Sequence, residues 1–209
     1  MKPYLKRIII TSIITILPML AGILLWNKLP ETIATHWGIN NVANGWSSRP
    51  FAVFGMPLLL LLLHLVCIFV TLNDPKKKNI SNKMLNVVFW IIPVTSWICC
   101  FMIYGMAVGI SLNIGMGANL MVGVLFVVIG NYMPKSKQSY TVGIRLPWTL
   151  NSTENWNRTS RLAGKLFIVG GIVFIISAFF QFGMVPLVII IMVVLIPAIY
   201  SYSLYKKGI

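Results

Sequence analysis

The chain has 209 residues, of which 58% are hydrophobic and only 10% are charged. A soluble globular domain carries about 25% charged residues, so this composition excludes one and predicts a polytopic integral membrane protein. The net charge of +14 does not indicate direct nucleic-acid binding, because the basic residues are divided among short segments between apolar runs.

Six apolar segments approach or exceed the roughly 17–25 residues that a membrane-spanning helix needs. Two of the breaks between them, GISLNIG and QFGM, are short polar-and-glycine corners typical of tight helical hairpins. The predicted fold class is therefore all-α, with six transmembrane helices: Ile8–Trp26, Phe51–Leu72, Leu85–Val108, Gly115–Met133, Leu166–Phe182 and Val185–Leu204.

The basic residues are unequally distributed between the two faces that six helices would define. Fifteen of the 17 lie at the N-terminus, in the second and fourth connectors and in the tail, whereas only Lys28 and Arg49 lie in the other connectors. The positive-inside rule therefore predicts cytoplasmic N- and C-termini, an extracellular loop at 28–50 and a cytoplasmic connector at 134–165.

Ionisable side chains are almost absent from the predicted spans. The acidic residues are Glu31, Asp74 and Glu154, and all three lie in connectors. Because intramembrane charges mark most proton and ion paths, a proton-coupled transporter is disfavoured. His64 is the one titratable group at depth, and we interpret it as a neutral imidazole hydrogen-bonded to a neighbouring helix. We predict no catalytic residue, no metal site and no cofactor.

The loop at 28–50 contains two tryptophans, Trp37 and Trp46, which are typical of a membrane–water interface. Between them stands Asn44-Gly45, a strong turn signal that predicts a compact, ordered loop. His36 and Glu31 alone are too few ligands to predict a metal site here.

The connector at 134–165 contains the longest polar run of the chain. We expect an extended hook at Tyr140–Leu150, since the residue before Pro147 avoids the helical region. A capping box at Asn151 and Glu154 would then begin a short amphipathic helix that leads into the fifth span. Its charged face is formed by Glu154, Arg158, Arg161 and Lys165, and a less polar face by Trp156, Thr159 and Ala163. A basic helix of this kind predicts binding to anionic lipids.

The stretch GNYMPKSKQSYTVGIRLPWTLNSTENWNRTSRLAGKLF, residues 130–167, resembles the signature of the SdpI family of multipass bacterial membrane proteins. The match includes the segment G-I-R-x-P-W-T-L, a later tryptophan and a basic R-x-x-G-K segment. It rests on Gly130, Asn131, Lys135, Gly143, Ile144, Arg145, Pro147, Trp148, Thr149, Leu150, Trp156, Arg161, Gly164 and Lys165. Leu146 and Ser160 depart from it, standing where Thr or Ser and His are usual.

The first loop is similar to a domain of unknown function that often precedes the SdpI region. The similarity rests on Leu29, Pro30, Ile33, His36, Trp37, Gly45 and Ser48, with Arg49 in place of a lysine. Asn41 and Asn44 stand where Gly and Asp are usual. We therefore predict that the chain has two parts. Residues 1–72 form an N-terminal helical hairpin that includes the extracellular loop at 28–50, and residues 73–209 form an SdpI-like four-helix region.

The resemblance implies immunity to a secreted toxic peptide at the bacterial cytoplasmic membrane, and capture of a cytoplasmic repressor of the ArsR type. The toxin-contact candidates are His36, Trp37, Trp46 and Arg49. The candidates for contact with a partner or with lipid are Arg145, Pro147, Trp148, Trp156, Arg158, Arg161 and Lys165. The alternatives are a small membrane enzyme and a transporter of unknown substrate.

Overall fold

The computed structural model describes residues 2–38, 41–180 and 184–209. Within these residues it contains six helical segments that are long and apolar enough to cross a membrane. This confirms the prediction of an all-α, multipass protein with six spans. The spans are Leu5–Leu24, Phe51–Leu72, Asn82–Ala107, Ile114–Lys135, Thr153–Phe180 and Val185–Lys206.

The elements follow one another in a simple order along the chain. In the part of the chain that the structure describes, eight α-helices are interrupted by one pair of strands, and a π-helical turn, Phe51–Gly55, leads into the third helix. The helices are α1 Leu5–Ile16, α2 Pro18–Leu24, α3 Met56–Leu72, α4 Asn82–Ala107, α5 Ile114–Tyr132, α6 Pro147–Asn151, α7 Thr153–Phe180 and α8 Val185–Lys206. The strands are β1 Thr32–Trp37 and β2 Ala43–Ser48.

The first span consists of two helices where the sequence predicts one. Pro18 is the first residue of α2, a position at which its missing N–H costs no helical hydrogen bond. The predicted corner between the third and fourth spans lies between Ala107 and Ile114. It contains Gly109 at φ 90°, a backbone conformation open to glycine. The second predicted corner falls largely on residues 181–183, which lie outside the described residues. The predicted end of the fifth span, Phe182, is one of these residues.

The loop at 28–50 forms an antiparallel hairpin in which Thr32 pairs with Ser48 and Trp37 with Ala43. The prediction of a turn at Asn44-Gly45 is wrong, because both residues lie within β2. Gly45 pairs with His36 where the register is irregular, and a β-bulge also favours glycine. The hairpin closes instead near Asn41, whose N–H donates to the Gly38 carbonyl and whose φ is 59°. Asparagine tolerates this left-handed conformation.

The long connector differs from its prediction in two ways. Leu146 is extended, as predicted, at φ −111° and ψ 152°, but the hook does not stay extended to Leu150, because α6 begins at Pro147. The predicted capping box at Asn151 and Glu154 is also wrong by one residue. Ser152 is the N-cap of α7, and its hydroxyl accepts from the Asn155 N–H at 3.2 Å. The expected amphipathic helix is the first part of α7, continuous with the fifth span.

The chain divides into two compact units, which are described separately below. The first unit comprises Met1–Phe69 and Val88–Ala118. Its core contains Leu29 and Ile33 from the hairpin region with Val53, Cys100 and Tyr104. The remainder of this core is contributed by Ala52 and Ile103, with Leu25, Trp26, Trp37, Met56, Ala107 and Val108 packed around it.

The second unit comprises Val70–Val87 and Asn119–Ile209. Here α5 and α7 approach closely at two pairs of glycines. A Cβ atom on Gly171 would lie 2.6 Å from the Gly123 carbonyl oxygen, and one on Gly130 would lie 2.8 Å from the Gly164 carbonyl oxygen. Small residues permit such backbone contact between membrane helices, where no hydrophobic effect drives helix association.

Candidate functional site

The exposed face of the β-hairpin presents polar and aromatic groups together. His36 on β1 and Asn44 on β2 are joined by a hydrogen bond between Nδ1 and Oδ1. Trp46, on the same strand as Asn44, is 58% exposed and pairs across the hairpin with Ala34. Alternation along β2 places Asn44 and Trp46 on the same face. We call Ala34, His36, Asn44 and Trp46 the hairpin face.

Two of the predicted toxin-contact residues, Trp37 and Arg49, do not belong to the hairpin face. Trp37 is partly buried against the core of the first unit. The Arg49 guanidinium donates from Nη1 to the carbonyls of Trp26 (2.9 Å) and Leu29 (3.0 Å), and it lies 4.6 Å from the Trp26 ring. Arg49 therefore satisfies carbonyls where α2 ends, and its role in this structure is to hold the hairpin in place.

The hairpin is fixed to the first unit along its length. Ile33, 1% exposed, packs in the core, and the hydroxyls of Thr35 and Ser47 are hydrogen-bonded across the strands at 3.1 Å. At the other end, Asn41 Oδ1 accepts from the Gly115 N–H at the start of α5, at 3.0 Å. The hairpin face is thus carried on a supported scaffold.

The second polar assembly is organised by Asp74, a residue for which the sequence suggested no role. Asp74 is only 5% exposed as a residue. One carboxylate oxygen accepts from the Lys76 N–H at 2.7 Å. The other accepts from the N–H groups of Tyr140 (2.9 Å) and Thr141 (3.0 Å). It also accepts from the hydroxyls of Ser139 (2.6 Å) and Thr141 (2.7 Å). This one carboxylate therefore fixes the beginning of the hook, Tyr140–Leu150.

The hydrogen bonds decide the ionisation state of Asp74. Burial acts to raise its pKa, but the hydroxyls of Ser139 and Thr141 and the N–H groups of Lys76 and Tyr140 lower it, and the net pKa is below the ordinary value of 3.8. Donors that converge on a carboxylate stabilise its charged form. Asp74 is therefore an anion that structures the hook at neutral pH.

Further side-chain bonds close the hook onto itself. Thr149, fully buried, accepts from the Leu146 N–H at 2.9 Å and donates to the Ile144 carbonyl at 2.7 Å. Gln138 Nε2 donates to the Thr149 carbonyl at 3.0 Å. Arg145 is exposed and donates from Nη1 to the Tyr140 carbonyl at 3.0 Å. This hydrogen bond links two residues within the hook.

Trp148 attaches the hook to α8. Its indole N–H donates to Ser201 Oγ at 2.9 Å, and its ring lies against those of Tyr202 and Tyr205, with centroids 5.4 and 5.8 Å away. Beside it is a groove of ≈ 460 Å³, lined by Pro147, Trp148, Asn151, Ser152, Tyr205, Gly208 and Ile209. Its lining combines the aromatic rings of Trp148 and Tyr205 with the polar residues Asn151 and Ser152, and we call it the Trp148 groove.

The two faces predicted for the start of α7 are present. Trp156 is fully buried and donates from its indole N–H to the Ser136 carbonyl at 2.8 Å. Gly143, at φ 112°, lies so close to this ring that a Cβ there would be 2.7 Å from it. Both the conformation and the space require glycine. On the opposite face Arg158, Arg161 and Lys165 are exposed, and Arg158 pairs with Glu154.

His64 has the predicted interhelical partner. It is fully buried, and its Nε2 lies 2.9 Å from Thr11 Oγ1 on α1. The Thr11 hydroxyl also lies 2.9 Å from the Arg7 carbonyl oxygen of its own helix. The bond between His64 and Thr11 ties α3 to α1.

No group of three or more His, Cys, Asp or Glu side chains that could hold a metal ion is found in residues 2–38, 41–180 and 184–209.

Several residues that build the hook were not identified by the sequence analysis. Asp74, Ser139 and Gln138 are polar residues in connectors, and only the number of acids, three, could have drawn notice to Asp74. Asn155, also missed, is fully buried and donates to the Ser201 carbonyl at 2.9 Å.

Comparison with known proteins extends these observations to the whole chain. Immunity protein SdpI of Bacillus subtilis (strain 168) is 31% identical over 211 aligned residues, which cover 97% of this chain and 98% of that protein. The chain belongs to the SdpI family. The SdpI/YfhL protein family matches residues 135–202, which contain the hook, α6, α7 and most of α8.

The N-terminal part of this SdpI-family protein has a match of its own. The Domain of unknown function (DUF1648) matches residues 13–61, which include the β-hairpin. No solved structure matches the chain significantly. The six spans and the near-full-length similarity identify a multipass protein of the cytoplasmic membrane, and they support a role as a membrane immunity protein.

Proposed function

We propose that this protein makes its host resistant to a secreted, membrane-active peptide by binding that peptide at the hairpin face, without catalysing a reaction. The observation that carries the proposal is the 31% identity to Immunity protein SdpI along nearly the whole chain. The hairpin supports it, because its exposed groups stand on strands fixed to the first unit and are available to a peptide outside the chain.

The proposal requires the hairpin to face outward. If the six spans found in the described residues all cross the membrane, both termini lie on one side, and 15 of the 17 basic residues share that side, which the positive-inside rule assigns to the cytoplasm. Cysteines introduced singly at the exposed positions Ser48 and Asn151, in a background without native cysteines, test this orientation. In intact cells an impermeant thiol reagent should label Ser48→Cys and not Asn151→Cys. Equal labelling would refute the orientation.

Trp46 is the strongest contact candidate on the hairpin face. A tryptophan that is 58% exposed offers a large apolar surface and one N–H donor, a combination suited to a peptide at the membrane–water interface. His36 and Asn44, joined to each other, add a polar edge next to it. We expect binding to depend on Trp46 first, because truncation of a central aromatic residue removes the most buried contact of an interface.

Resistance is tested in a bacterial strain that is sensitive to the cognate peptide and lacks its own immunity gene. Cells that express the protein should keep their membrane potential and survive, whereas the empty vector should not protect. Trp46→Thr, which keeps a residue with high strand propensity, should lose most of the protection. Leu24→Ala, at another exposed apolar residue of the first unit, serves as the matched control (Leu24 is 86% exposed).

The outcomes separate the function from the site. If the well-expressed parent protein fails to protect, immunity is the wrong function. If the parent protects and Trp46→Thr protects equally well, the function stands and the hairpin face is the wrong site.

We infer a second activity, capture of a cytoplasmic repressor of the ArsR type, at the Trp148 groove. A basic repressor could not dock on the basic face of Arg158, Arg161 and Lys165, for which we propose anionic lipid as the partner. The Trp148 groove instead offers aromatic surface from Trp148 and Tyr205 together with uncharged polar groups. Co-purification of an ArsR-type repressor co-expressed with this protein, lost in Trp148→Ala and kept in Leu24→Ala, would support this inference. Equal co-purification with both variants would contradict it.

A further inference from the structure

A second groove lies in the first unit, at the start of the first span, away from the residues assigned to immunity. It has a volume of ≈ 380 Å³ and lies between α1 and α4. Its lining combines two basic residues, Lys6 and Arg7, with two large apolar ones, Ile10 and Trp90. Pro3 and Thr11 complete the lining, so no acidic residue is among the lining residues.

We propose that this groove binds one anionic phospholipid, with the lipid phosphate at Lys6 and Arg7 and an acyl chain along Ile10 and Trp90. Lys6 and Arg7 stand in the first turn of α1, where the first span begins at Leu5. A phosphate at the boundary of the apolar core is what a phospholipid presents at this depth. Basic pockets between membrane helices are suited to anionic head groups.

Arg7, one of the two basic residues of the groove, is held in position by aromatic packing. The Arg7 guanidinium lies over the Phe89 ring, 5.3 Å from its centroid. The Tyr4 ring stacks on the same Phe89 ring, with the two centroids 6.1 Å apart. A guanidinium uses its flat face in such a contact, while it binds phosphate oxygens with N–H groups in its plane. Contact with the Phe89 ring therefore restricts where the Arg7 guanidinium lies beside Lys6. Lys6 adds a compact second charge on an exposed, adjustable side chain.

The apolar wall distinguishes a lipid from a free phosphate. Ile10 and Trp90 are each 42% exposed within membrane-spanning segments, so both face hydrocarbon. An inorganic phosphate would gain nothing from these two side chains, whereas a phospholipid would contact them with its acyl chain. Two adjacent cations also favour an anionic lipid over a zwitterionic one, whose head group carries a cation of its own.

Native mass spectrometry of the full-length protein, purified in a mild detergent, tests the proposal with phosphatidylglycerol as the probe. Phosphatidylcholine is the neutral comparison, and inorganic phosphate in excess is the competitor. We expect one phosphatidylglycerol to remain bound where phosphatidylcholine does not, and inorganic phosphate not to displace it. In Lys6→Gln/Arg7→Gln the affinity for that lipid should fall by about tenfold or more, since charge-assisted hydrogen bonds contribute about 1.5–3 kcal/mol.

The matched control removes the same charge elsewhere. Lys206→Gln/Lys207→Gln should retain the phosphatidylglycerol, because these residues belong to the second unit. Equal retention by both double variants, or equal loss from both, would overturn the proposal, and displacement by inorganic phosphate would assign the basic pair to a free anion. If the first double variant does not fold, Lys6→Gln alone decides the question, since Lys6 is exposed and its replacement disturbs no packing.

Discussion

Replacement of Asp74 by asparagine should open the hook while it leaves the six spans in place. The change is nearly isosteric, so it tests the carboxylate and not the volume. In the native protein one oxygen of Asp74 accepts from Lys76, and the other from donors at 139–141. An amide has one acceptor oxygen and one NH₂ group. In either orientation its NH₂ group therefore faces a backbone N–H that has lost its acceptor.

The expected magnitude follows from this geometry. With the amide oxygen toward the hook, which is the better arrangement, only the Lys76 N–H loses its partner, and the remaining bonds lose their charge assistance. A buried donor left without a partner costs about 1–3 kcal/mol. Since Asp74 is only 5% exposed, solvent compensates little of this cost. A loss of 1–3 kcal/mol corresponds to about a five- to 150-fold rise in the population of the open hook.

Hydrogen exchange of the purified full-length protein measures this population directly, because exchange from a locally opened segment reports the free energy of that opening. Peptides covering 139–150 should exchange faster in Asp74→Asn by that factor, while peptides from α5 should not change. Glu154→Gln is the control: it removes an exposed acid whose pairing with Arg158 is worth at most about 1 kcal/mol. Unchanged protection of 139–150 in Asp74→Asn would refute the reasoning.

The same carboxylate predicts the direction of a pH effect. The folded-state pKa of Asp74 is lowered below 3.8, so its contribution to stability is present above the unfolded pKa and is lost as pH falls through the folded value. The hook of the native protein should therefore stay closed from neutral pH down to about pH 4 and open only in stronger acid. In Asp74→Asn the exchange of 139–150 should lack this acid-dependent step.

Three further predictions concern packing, a buried bond and the hook arginine. Gly171→Ala should lower the free energy of unfolding by about 1–3 kcal/mol, because its Cβ would lie 2.6 Å from a backbone oxygen of α5. Gly115→Ala is the control and should be tolerated, since a Cβ there would meet only one atom, at 3.5 Å. Thr11→Val leaves His64 Nε2 without its partner and should cost about 1–3 kcal/mol in a thermal-unfolding assay; an unchanged melting temperature would mean that the bond contributes nothing. Arg145→Lys keeps the charge but not the planar donor group that reaches the Tyr140 carbonyl, and should reduce protection at normal membrane levels; full protection would favour a purely electrostatic role.

The spans were predictable because the bilayer imposes one simple requirement, a long apolar run. Their ends were less so. Helix α7, which contains the fifth span, begins at Thr153, 13 residues before the predicted apolar start at Leu166. Polar residues outside the hydrocarbon can continue a helix, and hydropathy does not detect this extension. The break between α1 and α2 at Pro18 was also missed, because it lies inside one continuous apolar run. Hydropathy detects the run but not the interruption of the helix within it.

The polar assemblies were only partly predictable, because they depend on residues far apart in the chain. Trp148 and Trp156 were identified, but the partner that organises the hook, Asp74, is 65 residues before Ser139. No local pattern links the two. In the hairpin, Asn44-Gly45 has the composition of a turn, yet the strand pairing places it in β2, where Asn44 bonds to His36 and Gly45 lies at a bulge. Tertiary pairing overrode the local signal.

The two assemblies are held together by different means, and this determines how each responds to a partner. The hairpin is fixed at separate points by Ile33, Asn41 and Arg49, so the loss of any one contact leaves the others in place. The beginning of the hook instead depends on a single carboxylate that accepts at both of its oxygens. Contacts that share one acceptor are lost together. We therefore expect the hairpin face to behave as a rigid recognition surface and the hook to behave as a segment with two states, open and closed, for which Asp74 sets the balance.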